Sequence, residues 1–306
     1  MYFPYFRGRQ YELLALKELV QKKLICQNVI PVVEPIKISP TLKNTIQAFE
    51  KNNQKIAMIY NPAVGDFADS DITELLNMDS ATIIPSVLLN ESAESTIEAL
   101  NQKGRDKKEI LAVLNSQDYI EDYKSIFEYE SPAYVLFPDE RPMRRAVQTN
   151  KVLFEDKFVK QARNSDYIKC TDEPFSEDHL YYSEEGYTGF GDYSIVGDNY
   201  EEGGFSPKAV AIHIVYFADD ERLRIKHFVS DSNYDISDVA GKFYEAVIKL
   251  SDWYKEGNDK QKTAALETLL DHAEKGYYPG LPTLKKLSIM HHLELVSKYL
   301  NRENNE

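Results

Sequence analysis

Polar side chains follow several short apolar runs of the sequence, at the point where each run ends. The first run, NVIPVV, is followed by Glu34 and, three residues later, by Lys37. The other runs end in Asn61, Ser86, Asn115, Asp139 with Glu140, Glu155 with Asp156, and Asp192. Converging carboxylates can bind Mg²⁺ or Mn²⁺, and a glutamate beside a lysine can act as an acid–base pair. Glu34 and Lys37 have the second composition, although polar residues at strand ends can also simply cap the next helix.

Two further clusters are candidates for ligand binding. Arg7 and Arg9 could bind an anion, or they could tie the N-terminal segment to the fold through salt bridges with an acid such as Glu12. Asp192 and Tyr193 lie between glycines in GFGDYSIVG. Glycines let a ligand approach the backbone closely, or they make a turn. The segment is not GxGxxG, so we do not expect a nucleotide cradle.

One histidine is a candidate for acid–base chemistry. In AVAIHIVYF, His213 alternates with Ile212 and Ile214, so it lies on the opposite face of a predicted strand. An inward His213 would be a general acid–base or a metal ligand, and an ordinary core or surface histidine is the alternative. His227 on the next predicted strand is a weaker candidate.

The motifs of the standard catalytic classes are missing from the sequence. It has no GxSxG, Walker or HExxH motif, and neither Cys26 nor Cys170 lies in a CxxC or Cys/His pattern. Nucleophilic hydrolases, P-loop ATPases and Rossmann dehydrogenases are therefore disfavoured. We assign no metal site, leave the cofactor unknown, and expect both thiols to be reduced.

The elements that position these residues alternate between strand and helix. The predicted strands are NVIPVVEPIK and residues 55–61, 81–90, 109–115, 132–140 and 151–156. Helices are predicted at residues 9–24, 39–53, 70–78, 92–103 and 118–129, after Arg141, and from Lys157. Such alternation favours a parallel sheet with helical crossovers. No glycine-rich phosphate loop follows any strand, so a TIM-barrel-like (β/α)8 domain is favoured over a doubly wound sheet.

The pattern changes after the sixth strand. Residues 172–208 are acidic and rich in tyrosine and glycine, which predicts an irregular connection with at most one short strand, GFGDYSIV. A hairpin turning at residues 218–221 is predicted next, followed by helices at residues 237–254, 260–275 and 282–300. We therefore expect a barrel-like α/β domain over residues 1–232, with an insertion at 172–208, and a C-terminal helical extension over 237–306.

Charge and hydropathy exclude further classes of function. The 306 residues carry a net charge of −14, which repels nucleic-acid backbones, so general nucleic-acid binding is disfavoured. The apolar stretches are too short to span a bilayer, and the start of the chain lacks the pattern of a signal peptide. We expect a cytoplasmic protein that does not bind membranes.

The opening segment and two later segments carry a family resemblance. The residues concerned are Tyr2, Pro4, Arg7, Arg9, Gln10, Glu12, Pro31 and Glu34, then GFGDYSIVG and the hairpin with His213 and His227. From residue 2 to about residue 232, the chain resembles the phage and bacterial "beta family" proteins. Those proteins begin with Tyr-x-Pro-x-x-Arg-x-(Arg/Lys)-Gln-x-Glu and have no established activity. The resemblance implies a barrel-like fold and a phage or mobile-element setting, with a role in phage defence.

Two hypotheses about function follow. The first is an enzyme that acts on a small phosphorylated ligand at the barrel mouth. Its catalytic residues would be Glu34, Lys37, Asp192 and His213, and its ligand-binding residues Arg7, Arg9, Asn61, Asp139 and Tyr193. The second is a non-catalytic protein that binds a partner protein encoded nearby, through residues 172–208 and the C-terminal helices.

Overall fold

The computed structural model of this chain describes residues 1–68, 72, 80–201, 203, 207–257 and 261–303. The chain forms two compact units. The first unit consists of Met1–Asp156 and Asp178–Tyr193, and the second of Lys157–Glu177 and Ser194–Glu306. This division differs from the expected one, because residues 157–177 and the hairpin pack with the C-terminal helices.

Strands and helices of the described residues are numbered in chain order. The strands are β1 (Tyr5–Phe6), β2 (Val32–Val33), β3 (Ile56–Ile59), β4 (Ile83–Leu88), β5 (Leu111–Val113), β6 (Tyr134–Phe137), β7 (Lys151–Phe154), β8 (Asp172–Ser176), β9 (Gly189–Gly191), β10 (Ala211–Phe217) and β11 (Leu223–Val229). The helices are α1 (Gln10–Gln21), α2 (Pro40–Lys51), α3 (Ala93–Gln102), α4 (Ile120–Ile126), α5 (Arg141–Ala146), α6 (Asp178–Tyr181), α7 (Val239–Lys255), α8 (Ala264–Lys275) and α9 (Leu281–Glu303). The helix predicted over residues 70–78 lies outside the described residues.

Eight parallel strands form the barrel of the first unit, which confirms the predicted fold class. Strands β1 to β7 are neighbours in chain order, and β9 pairs with β7. Backbone hydrogen bonds then join the β9 segment to the N-terminal segment: Phe190 N to Met1 O (3.0 Å), Phe3 N to Phe190 O (2.9 Å) and Tyr5 N to Asp192 O (2.8 Å). These bonds nearly close the sheet into a (β/α)8-like barrel.

Alternate residues of the strands fill the barrel. Tyr5 of β1, Val32 of β2 and Ile59 of β3 belong to one cluster of buried apolar side chains. Successive side chains of a strand point to opposite faces. Glu34 lies two residues after Val32, and Asn61 lies two residues after Ile59, so both continue the inward-facing series. The barrel thus places both polar residues at the carboxyl ends of their strands, as the sequence predicted.

The segment after β7 differs from its prediction. A helix was predicted from Lys157, but residues 157–163 are not helical and Asn164–Lys169 form a 3-10 helix. The cause is local packing in the second unit. The ring of Phe158 stacks on Tyr167 with centroids 6.1 Å apart, and the backbone N–H of Gln161 donates to the Tyr167 hydroxyl at 3.0 Å.

Residues 172–208 were predicted to hold at most one short strand, GFGDYSIV. Strand β9 lies within that sequence, but the prediction of at most one strand was wrong, because β8 is a second strand. The described part contains β8, α6 and β9. Strand β8 pairs with β11, where Asp172 accepts hydrogen bonds from Arg224 Nε at 2.7 Å and from the Tyr216 hydroxyl at 2.8 Å. An acidic, proline-containing strand lacks the apolar alternation that predicts strands, and these cross-strand partners stabilise it instead.

The second unit packs α7, α8 and α9 with an antiparallel sheet in the order β10-β11-β8. His291 of α9 connects these elements. Its Nε2 bonds the Val215 carbonyl of β10 at 2.8 Å, and its Nδ1 bonds Thr263, the N-cap residue of α8, at 2.7 Å. Burial lowers the pKa of His291 to about 4, so the ring is neutral at pH 7 and serves as a structural link.

None of the helices in the described ranges is long and apolar enough to cross a membrane.

Closure of the barrel depends on a glycine in β9. A methyl group at Gly191 would lie 2.5 Å from the Phe3 carbonyl oxygen and 3.2 Å from the Phe154 ring. We expect Gly191→Ala to lower the free energy of unfolding by about 2–3 kcal/mol in urea titrations, because backbone must move. At Gly104 the added methyl group meets no atom within 4 Å, although φ is +81°. Gly104→Ala should therefore cost only about 1–2 kcal/mol, from the left-handed conformation. Equal losses in both variants would contradict this account of closure.

Candidate functional site

Glu34 lies at the carboxyl end of β2 and is fully buried. Its Oε2 accepts a hydrogen bond from the Tyr5 hydroxyl at 2.7 Å and forms an ion pair with Arg7. Its Oε1 accepts from the Ala63 backbone N–H at 2.7 Å. Both carboxylate oxygens are therefore used within the first unit.

Arg7 follows β1 and completes this cluster. Its side chain is 16% exposed, and its guanidinium carbon lies 5.2 Å from the ring centroid of Tyr5 and 5.7 Å from that of Tyr193. Tyr193 in turn packs against Phe154 of β7, with ring centroids 4.8 Å apart. The structure thus brings together three of the predicted site residues, Glu34, Arg7 and Tyr193. The arrangement favours the salt-bridge interpretation of Arg7 over anion binding.

The other predicted residues of the first unit lie in separate environments. Lys37 is exposed, and Arg9 is the N-cap residue of α1, where its backbone N–H donates to Glu12 Oε2 at 3.2 Å. Asp192 is buried and accepts from the Tyr2 hydroxyl at 2.9 Å. The acid–base pair of Glu34 with Lys37 is not formed, because Arg7 and Tyr5 occupy the carboxylate instead.

Asn61 and Asp139 also have local partners. The Asn61 amide donates to the Leu88 carbonyl at 2.8 Å and accepts from the Leu88 N–H at 2.8 Å, which joins the ends of β3 and β4. Asp139 accepts from the Tyr187 hydroxyl at 2.7 Å and pairs with Arg144 Nε at 3.2 Å. These contacts stabilise the barrel, and the ligand-binding roles of both residues stay predictions.

Replacing the buried carboxylate tests whether it serves stability. Glu34→Gln leaves the Arg7 guanidinium, which is mostly buried, without its counter-charge, so we expect a loss of about 3–5 kcal/mol in unfolding free energy. Adding Arg7→Met should restore part of this loss, because the uncompensated charge is then removed. The exposed Glu98→Gln is the control and should change stability by less than about 0.5 kcal/mol. If the unfolding free energy of Glu34→Gln equals that of the wild type, the carboxylate does not serve stability, and its predicted catalytic role is strengthened.

A different polar cluster lies in the second unit. The hairpin register places His213 of β10 directly opposite His227 of β11. Their Nδ1 atoms are 2.7 Å apart, and His227 Nε2 lies 3.1 Å from Oε2 of Glu173 on β8. The three side chains form a continuous hydrogen-bonded chain, which we call the Glu173–His227–His213 chain.

The carboxylate determines the protons along this chain. An ionised carboxylate can only accept, so His227 must donate from Nε2. In the neutral ring, His227 Nδ1 then carries the lone pair and accepts from His213 Nδ1. His213, when neutral, is left with its lone pair on Nε2.

The environment keeps both rings neutral. Loss of hydration lowers the pKa of His213 to about 3, and the electrostatic influence of the neighbouring His227 and of the Lys285 cation acts in the same direction. Loss of hydration also lowers the pKa of His227, although the hydrogen bond to Glu173 acts in the opposite direction. At pH 7 His213 is therefore unprotonated at Nε2 and can take up a proton.

Aromatic rings hold the two imidazoles in place. The Tyr167 ring centroid lies 4.7 Å from that of His213 and 4.5 Å from that of His227, and Phe158 meets His213 edge-on at 5.2 Å. These contacts restrict the rotamers of both histidines, which favours a fixed hydrogen-bond geometry.

His213 lines a cavity of about 240 Å³ within the second unit. Lys160 and Lys285 contribute cations to its wall, and Asn164 and Ser288 contribute hydrogen-bonding groups. Its remaining wall is largely apolar. The cavity thus combines a neutral histidine with two positive charges.

Sequence reasoning identified His213 but missed most of its surroundings. A turn centred on residue 220 would have placed His213 opposite His227, so their pairing could have been found. Glu173 could not, because β8 has no apolar alternation. The lysines lie in the 157–163 segment and on α9, and no sequence pattern connects them to the hairpin.

Within the part of the chain that the structure describes, no group of three or more His, Cys, Asp or Glu side chains could hold a metal ion. Cys26 and Cys170 are not joined to each other by a disulfide in the structure.

Comparison of the chain with protein-family models, with curated proteins and with solved structures gives no match. The resemblance of the opening segment to the beta family stays a prediction from the residues that carry it.

Proposed function

We propose that this chain is an enzyme in which His213 acts as a general base on a small ligand bound in the cavity of the second unit. The observation that carries the proposal is the hydrogen-bonded Glu173–His227–His213 chain, which ends at the cavity wall. The proposal keeps the hypothesis of a small-molecule enzyme and the role of His213. It moves the reaction away from Glu34, because that carboxylate is buried and fully engaged.

The proton path follows from the hydrogen bonds. A ligand hydroxyl or a water molecule gives its proton to His213 Nε2, and the electron pair of the broken O–H bond stays on the oxygen, which becomes the nucleophile. His213 then passes its Nδ1 proton to His227 Nδ1. The positive charge comes to lie on His227, beside the Glu173 carboxylate.

Passing the proton from His213 to His227 compensates for the low basicity of His213. His213 alone is a weak base, because its pKa lies at about 3. Moving the charge to His227 places it 3.1 Å from a carboxylate oxygen, where it is stabilised. A carboxylate that orients one imidazole and stabilises its charge is a general device of acid–base catalysis.

Turnover of a panel of small esters and phosphate esters tests the proposal. General-base catalysis contributes about 10²–10⁴-fold, so His213→Gln should lower kcat by at least about 10²-fold. Glu173→Gln should lower kcat less, because both rings remain. His272→Gln on α8 is the matched control, because His272 is not part of the hydrogen-bonded Glu173–His227–His213 chain. The kcat of this variant should equal that of the wild type.

Circular dichroism and urea titration must show that each variant is folded. Wild-type turnover that persists in folded His213→Gln would overturn the proposal.

A partner-binding role is the second candidate. Exposed apolar side chains of the second unit favour it: Tyr234 (90% exposed), Ile236 (58%), Tyr277 (57%) and Tyr244 (46%). The 172–208 segment favours it less, because Phe175, Tyr187, Phe190 and Tyr193 are buried, although Tyr181 is 40% exposed. A cytoplasmic, phage-associated setting belongs to either proposal and is supported by composition and by the opening-segment resemblance.

A further inference from the structure

We infer that the ligand of the cavity beside His213 is a small phosphate monoester, bound through its phosphate by Lys285 and Lys160. The inference rests on the proposed function, since it names the substrate class of the same cavity. Its evidence is the chemistry of the cavity wall.

Two lysines contribute positive charge to the cavity wall. Lys285 of α9 and Lys160 both line the cavity, and among the described residues that line it none is an aspartate or a glutamate. The chain as a whole has a net charge of −14, so this local excess of cations runs against its overall balance. Such a wall selects an anion.

Hydrogen-bond donors accompany the cations. Asn164 and Gln161 lie on the wall with Lys160, and Ser288 lies one helical turn after Lys285. A phosphate has several acceptor oxygens and can use cations and neutral donors together, as helix-borne lysines and amides do in other phosphate sites. The same wall includes Leu281 and Leu284 in the first turn of α9, where the helix dipole adds a favourable field.

Lys160 is held only weakly by its present partner. Its Nζ lies 3.7 Å from Glu201 Oε2, and both side chains are exposed. Exposed pairs of this kind contribute about 0–1 kcal/mol, so a bound phosphate can compete for Lys160. Lys285 is half-buried and lines the same cavity as His213.

The volume of the cavity and its apolar wall limit the size and the polarity of the group that carries the phosphate. The volume of about 240 Å³ is below the usual range of about 300–1,000 Å³ for ligand pockets. Phe158, Ile195, Val196 and Leu284 face the remaining space. A phosphate on a short carbon skeleton fits this combination, whereas a nucleotide is too large.

Phosphate binding should change the titration of His213. The groups that face its ring are His227 from β11, Lys285 from α9, and Phe158 and Tyr167 from the preceding segment. Loss of hydration and the positive charge of Lys285 both act to lower the pKa of His213. A bound phosphate adds negative charge beside the ring, so it favours the imidazolium form and should raise that pKa.

Titration of the full chain with inorganic phosphate tests the inference. Calorimetry and histidine NMR should show binding and a rise in the His213 pKa of about one unit or more. Lys285→Met should weaken phosphate binding at least tenfold, the effect of losing one charge-assisted contact. The neighbouring Lys286→Met should bind phosphate like the wild type, and Lys160→Met gives a second test on another element. Urea titration confirms that each variant is folded.

The outcomes separate the inference from the proposed function. If wild-type protein does not bind phosphate, or if Lys285→Met and Lys160→Met bind it unchanged, the phosphate inference fails. The general-base proposal survives that result if turnover of an uncharged ester still depends on His213. If phosphate binds as expected but turnover persists in His213→Gln, the general-base proposal fails and the phosphate site stands.

Discussion

The hydrogen bond between Glu173 and His227 is the contact on which the chemistry of the second unit depends. A carboxylate can accept but not donate, so this one contact of 3.1 Å determines which nitrogen of His227 carries its proton. That choice then determines the proton of His213 across a distance of 2.7 Å. The register of three neighbouring strands, β10, β11 and β8, provides these distances. A slip of one residue between β8 and β11 would turn Glu173 to the other face of the sheet and break the chain.

The buried carboxylate of Glu34 and the partly buried carboxylate of Glu173 therefore have different roles. Glu34 accepts from a tyrosine and a backbone N–H and pairs with an arginine, which uses its oxygens and ties β1 and β2 to the segment after β3. Glu173 instead orients one histidine, and that histidine engages another at a cavity. Position at a barrel strand end predicts where polar residues gather. It does not predict whether they remain accessible, since that depends on which neighbours neutralise them.

Much of the fold could be predicted from the sequence. Six apolar runs predicted β2 to β7, and the tight turn predicted the hairpin. Strand β1 was missed because only Tyr5 and Phe6 pair, within a segment that reads as the approach to a helix. Strand β9 consists of Gly189, Phe190 and Gly191 and lies within the predicted short strand GFGDYSIV, but its glycines were interpreted as a possible ligand contact. The structure shows that these glycines make room for the backbone of Met1 and Phe3.

The candidate site was less predictable, for a physical reason. His213 could be selected by alternation along its strand, but its partners come from β8, β11, the 157–169 segment and α9. Such contacts are set by tertiary packing, and a single sequence carries no local signal for them. Strand-end residues such as Lys37 and Asp192 have side chains that could serve in acid–base catalysis. In the structure, however, Lys37 is exposed, and Asp192 accepts a hydrogen bond from the Tyr2 hydroxyl.

The protonation of the two paired histidines is the most direct test of the account. Nitrogen-15 NMR of the imidazole rings at pH 7 reports which nitrogen of each ring carries a proton. We expect two neutral rings, with the proton of His213 on Nδ1 and that of His227 on Nε2. A charged ring on His213, or a proton on its Nε2 in place of Nδ1, would contradict it, because His213 could then not accept a proton from a ligand.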